Sequence, residues 1–121
     1  MKAIFRTSYG SADILELKEI EEPVPKDYGL LLKVFAAAVN PLDWHVLRGE
    51  PFLVRLMGFG LLKPKHQILG ADMAGRVTAI GKNVTQFKVG DEVYGSGMGG
   101  FAEYACLSEN MAAHKPASLT F

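Results

Sequence analysis

A chain of 121 residues, 49% of them hydrophobic, is long enough for one modest core and too short for two domains. Lysine plus arginine and aspartate plus glutamate both total 13, so there is no net charge to draw the chain to nucleic acid or to an anionic membrane surface. Its one cysteine, Cys106, excludes an intrachain disulfide and a cysteine-built structural zinc site, and fits a reducing, intracellular compartment.

After Lys2 only Ala3, Ile4 and Phe5 precede Arg6, far short of the apolar core of a secretory signal. Lys33 interrupts the apolar run Leu30–Val39, so no segment can span a bilayer, and a soluble cytoplasmic protein is expected.

Strand-like alternation runs over Lys2–Arg6 and Ile14–Ile20, with a turn at Gly10–Asp13. Pro23 and Pro25 take the chain out of the sheet, because each removes a ladder donor. A long apolar strand, Leu30–Val39, follows. Asn40-Pro41-Leu42-Asp43 then opens a helix, with Asn as N-cap, Pro at the first helical position and an acid in the first turn. Gly49 stops it, which predicts one helix from about Pro41 to Arg48.

Phe52–Leu62 is unusually apolar for a connector, with Arg55 its only charge. Gly58 and Gly60 confine any helix to the first half, predicting a short helix and a flexible lobe. The β pattern returns from Ile68, through Asp72–Ile80, Glu92–Tyr94, Phe101–Leu107 and Met111–His114. Several short strands with one or two small helices predict a mainly β fold, a small barrel occupying residues 1–121 as one domain.

Gly95-Ser96-Gly97-Met98-Gly99-Gly100 satisfies the dinucleotide-binding glycine spacing and follows a predicted strand. That fingerprint also needs a following helix and an acid about twenty residues on. Phe101–Leu107 reads as a strand and Lys115 stands near the acid's position, so the glycines are assigned to a hairpin turn.

Gly70-Ala71-Asp72-Met73-Ala74-Gly75-Arg76-Val77, then Gly81, Val84, Phe87 and Gly90-Asp91-Glu92-Val93-Tyr94-Gly95, resembles the signature of medium-chain dehydrogenases/reductases. In that family a GroES-like, partly open β-barrel carries the substrate site. Asn40-Pro41-Leu42-Asp43-Trp44-His45 and Gly100-Phe101-Ala102-Glu103-Tyr104 match further motifs in order, so the resemblance covers essentially the whole chain. The zinc-containing branch has a cysteine where this chain has Asn40, and Gly-His-Glu where it has Gly70-Ala71-Asp72. Ala71 offers no lone pair and a neutral amide is a poor substitute for thiolate, so the likeness is to the zinc-free quinone and enoyl reductases.

The resemblance implies an NAD(P)H-dependent reductase of quinones, enones or related carbonyls, in which hydride transfer requires placement of the acceptor and donors aimed at its oxygen. Asn40 would face the nicotinamide, its amide donating to cofactor or substrate, or serve simply as an N-cap. His45 aligns with the relay histidine of the zinc enzymes, although Leu42 stands where they have the relay hydroxyl. Arg48 would approach the cofactor phosphates or the helix C-terminus. Trp44 would form a flat pocket wall or join the core, and Phe52, Leu53 and Leu56 an apolar flap over substrate or simple packing. Asp72 would orient its neighbours at the pocket or stabilise a turn, and Asp43 bond backbone amides. His66 replaces a proline of the relatives and inherits no role.

The same resemblance implies that the Rossmann domain and the returning segment of the catalytic domain lie outside this chain, with Lys115–Phe121 the start of the interdomain connection. The chain alone is expected to be catalytically silent. The competing expectation is a free-standing GroES-like binding or assembly module that self-associates through exposed strand edges.

Overall fold

A computed structural model describes residues 1–121 as a mainly β fold with two sheets. Strands β1 (Lys2–Phe5) and β2 (Glu16–Glu19) form an antiparallel pair. The larger sheet is antiparallel throughout, in the order β6 (Tyr104–Ser108), β3 (Gly29–Ala38), β4 (Asp72–Ile80), β5 (Glu92–Ser96), β7 (Ala112–His114). One α-helix, α1, spans Pro41–Arg48. Isolated bridges from Ala3 to Ala102 and from Phe5 to Ile68 tie the small sheet to the large one without closing a complete cylinder. The result is the expected partly open barrel.

Strand β3 is continuous in apolar residues because its first half lies between β4 and β6 and is covered on both faces, with Leu30 and Leu32 buried on one face and Leu31 on the other. They join Met73, Val77, Phe87, Val93, Ala105 and Leu107 in the main core. Beyond Lys33 the strand emerges from that core, and an extra residue, Phe35, falls between the pairs Val34–Gly75 and Ala36–Ala74 as a bulge. Residues Ala36–Ala38 are consequently a partly bare strand end leading into α1.

A second, smaller cluster of Val46, Leu47 and Leu69 packs the inner side of α1, with Ile14, Val54, Phe59 and Phe101 around it. The helix boundaries agree with the sequence. Gly49 closes it at φ 64°, a left-handed conformation that a β-carbon resists.

The hairpin assigned to Gly95–Gly100 is not formed. Strand β5 pairs with β4 and β7, so the segment after it crosses to the opposite side of the sheet to begin β6. On the way it runs against residues 69–71, with hydrogen bonds from the N–H groups of Gly97, Gly100 and Phe101 to the carbonyls of Ala71, Gly70 and Leu69. Among its glycines only Gly99 has positive φ. The segment leads into a strand and lies against residues 69–71 in place of a hairpin partner, because strand order is not encoded in a local glycine pattern.

The lobe forms one helical turn with wide, π-type bonding over Arg55–Phe59, ended at Gly58, where φ is 101°. Sequence reasoning overlooked Glu109, buried at the start of a short turn, whose carboxylate accepts from the N–H groups of Thr85 and Gln86 at 3.1 and 3.3 Å.

Candidate functional site

The site is built around the entry to α1. Asp43, 3% exposed, is a buried carboxylate with no cationic partner among the ion pairs. Backbone N–H groups hold it instead: Oδ2 accepts from Asn40 at 2.8 Å, and Oδ1 from Gly70 and Ala71 at 3.0 and 3.1 Å. The first bond completes a capping box at the helix N-terminus, where an anion is also favoured by the helix dipole. The other two fasten α1 to the segment leading into β4. Gly70 permits this junction because its φ is 99° and a β-carbon there would lie 2.6 Å from the Phe101 nitrogen.

That junction brings Asn40 and Asp72 together, 32 positions apart in sequence, so that the Asn40 amide nitrogen donates to Asp72 Oδ2. An ionised carboxylate can only accept, which fixes the amide with its NH2 towards Asp72. One amide proton is thereby committed, and the other has no partner within the fold. Asp72 is exposed at the start of β4, beside a groove of ≈ 490 Å³ lined by Ala36–Ala38, Asp72–Ala74 and Tyr94–Ser96. A larger hollow of ≈ 720 Å³ between Pro23–Gly29 and Cys106–Ser108 shares none of these residues.

His45 does not join this pair. Its Nδ1 lies 2.8 Å from the Glu50 carbonyl, beyond the other end of the helix. That contact places the proton on Nδ1 in the neutral ring and leaves Nε2 as an acceptor. Trp44 is 49% exposed and therefore lies outside the core; its ring meets the His45 ring edge-on with centroids 4.9 Å apart. The Arg48 guanidinium stands 4.9 Å over the Trp44 ring, has no carboxylate partner, and so keeps a free positive charge on this face. Phe52, Leu53 and Leu56 are exposed on the lobe, with Val54 turned inward.

Arg6 is the residue the sequence did not disclose. It is 1% exposed, and its guanidinium donates to the Val46 and Leu47 carbonyls at 2.6 and 3.1 Å and to the His66 carbonyl at 3.1 Å, leaving Nη2 without a partner. Burial lowers its pKa, with Tyr9 opposing the effect. It thus bolts the C-terminal carbonyls of α1 to the segment that leaves the lobe at His66. His66 is pushed below its ordinary range by burial and by the charges of Lys65 and Arg6, and Cys106 upward by burial, which disfavours a thiolate nucleophile.

No group of three or more histidine, cysteine, aspartate or glutamate side chains converges anywhere. An amide and one carboxylate, with Ala71 between them in the fold, do not make the donor set of a catalytic zinc. For a dinucleotide the fit is partial. Asn40 and Arg48 offer polar and cationic groups on one face, whereas the glycine segment runs into β6 and provides no helix N-terminus for a pyrophosphate.

Residues 26–117 match the family described as the alcohol dehydrogenase GroES-like domain. The chain is 33% identical over its whole length to the human quinone oxidoreductase, of which it covers 35%, and 36% identical over 91% of its length to the dehydrogenase pigH of Monascus ruber, of which it covers 31%. It superposes on the quinone oxidoreductase of Coxiella burnetii with a TM-score of 0.84 and 31% identity, covering all of this chain and 38% of that one. The chain spans about a third of the length of the curated relatives it matches.

Proposed function

The chain belongs to the alcohol dehydrogenase GroES-like domain family, in its zinc-independent, quinone oxidoreductase-like form, and from that premise we propose that it is the substrate-side wall of an NAD(P)H-dependent reductase of quinones, enones or related carbonyls. The observation that carries this reading is the Asn40–Asp72 pair at the rim of an apolar groove, fixed there by the buried Asp43.

Reduced nicotinamide supplies the hydride when bound. The residues of this chain orient and polarise. Asn40 offers its remaining amide proton to the acceptor's oxygen, where negative charge gathers, and Asp72 prevents the amide from turning its carbonyl to that oxygen instead. Trp44 gives a flat apolar wall for a planar acceptor, and Arg48, held over it, presents its charge to the cofactor phosphates. Phe52 and Leu56 exclude water from the substrate side. His45, whose Nε2 is unprotonated in the neutral ring, takes up and returns a proton through solvent.

The test is quinone- and enone-dependent oxidation of NADPH and NADH, assayed in the longest natural chain that carries these residues. Asn40→Ala is expected to lower kcat/KM by about a hundredfold, the usual effect of losing one donor to a developing oxyanion. Unchanged turnover would refute the assignment. The 121 residues by themselves are expected to oxidise neither nucleotide. A second reading, self-association, is supported by the outer edges of β6 and β7, which have no further strand beside them.

A further inference from the structure

From the bare outer face of the lobe we infer a second role: it is a docking surface for an anionic lipid bilayer, lying in the headgroup region without crossing it.

A helical turn in a soluble protein normally has one apolar side, and that side faces inward. Here Val54 and Phe59 already pack against the cluster under α1, yet Leu53 and Met57 point outward, and Leu61 and Leu62 extend the apolar surface. Met57 is 69% and Leu62 86% exposed, and unlike Leu17 and Val24, which are exposed singly, they belong to one run of exposed apolar residues. The lobe is also held in a fixed form. Tyr9 Oη donates to the Phe59 carbonyl at 2.7 Å, the Lys65 N–H donates to that carbonyl at 2.8 Å, and Arg55 Nε donates to the Gly49 carbonyl at 3.1 Å. Its apolar side chains are therefore presented in a fixed arrangement, with Arg55 clasped over the Tyr9 ring at 4.4 Å.

Charge selects the occupant. No aspartate or glutamate occurs between Glu50 and Asp72, while Arg55, Lys63 and Lys65 do. None of the three has a carboxylate partner anywhere in the chain. Lys63 and Lys65 are exposed immediately after the Leu61-Leu62 tip, where their stems can lie along inserted apolar surface and their ammonium groups reach lipid phosphate. The zero net charge of the whole chain hides this, because the neutralising acids lie elsewhere. No helix is long and apolar enough to cross a membrane, so the contact is interfacial.

The experiment is co-sedimentation of the longest natural chain that carries these residues with vesicles of phosphatidylcholine alone and of phosphatidylcholine mixed with phosphatidylglycerol. Binding is expected only to the mixed vesicles and should weaken with salt. Each lysine held at an anionic surface strengthens partitioning roughly fivefold, so K63Q/K65Q is expected to weaken it roughly 25-fold. M57D/L62D is expected to abolish it. Both pairs are exposed, and unchanged circular dichroism with cooperative unfolding establishes that the variants fold. No sedimentation with either vesicle, equal binding to both, or a stable dimer that M57D/L62D converts to monomer would each overturn the proposal, the last by assigning the face to a second copy. The outcome is independent of hydride transfer, since Asn40 and Asp72 take no part in it.

Discussion

The main core and the α1 corner are held together by different physics. The first is eight apolar side chains between strands, stabilised by burial that is additive and indifferent to direction. The second has only Val46, Leu47 and Leu69 fully buried, and supplements them with two buried ions: Asp43 gripping N–H groups at the helix start, Arg6 gripping carbonyls at its end. An eight-residue helix is too short to persist by its own hydrogen bonds, so these bolts decide both whether it forms and where Asn40 points. Directional bonds position a side chain more sharply than apolar contact does. They are also less forgiving of a single change.

The largest effect should therefore come from a polar substitution. Asp43→Ala leaves three backbone N–H groups without their acceptor, two of them buried, and is expected to cost about 4 kcal/mol in urea unfolding, at about 1–3 kcal/mol for each unsatisfied group. Leu32→Ala, at the centre of the main core, is expected to cost about 3 kcal/mol through lost transfer energy and a residual cavity. If Leu32→Ala proves the more damaging, the claim that ions dominate the α1 corner fails. Arg6→Met should cost less, about 2 kcal/mol, because removing the guanidinium also removes its desolvation penalty and its unpartnered Nη2. Its signature is regional: hydrogen exchange should quicken over residues 46–49 and 66–67 and leave β3 and β4 protected.

The smallest expected effect is on pH dependence. His66 is held below its ordinary value by burial, with Lys65 and Arg6 adding to the shift. The unfolded imidazole therefore binds a proton more readily than the folded one, and stability is full above about pH 6.5 and declines as pH falls below it. The urea midpoint should drop between about pH 7.5 and pH 5.5, and His66→Gln should flatten part of that slope. An unaltered slope would detach His66 from the corner's stability.

Legibility in the sequence followed the range of the interactions. The helix Pro41–Arg48 and strand β4 were bounded correctly because an Asn-Pro start, a glycine stop and two-residue alternation are properties of neighbouring residues. The assignment of Gly95–Gly100 to a hairpin failed because its partner, residues 69–71, is brought alongside only by the strand order. Arg6 gave no signal at all: its acceptors are backbone carbonyls 40, 41 and 60 positions away, and a carbonyl has no sequence signature. Glu109 escaped notice for the same reason, its donors being the N–H groups of Thr85 and Gln86. The lobe's basic, acid-free character was written in residues 51–71 and obscured only by summing charge over the whole chain.

What the sequence by itself determined was the family, the mainly β architecture, and a corner chemistry of Asn40 and Ala71 unsuited to zinc, since these rest on residue identity and short-range pattern. Tertiary structure alone decided that Asn40 is turned by Asp72, that His45 is engaged with Glu50 instead, and that an apolar face is left bare beside unpaired lysines. Each of those depends on groups separated in the chain and joined by packing, a relation that composition and spacing do not contain.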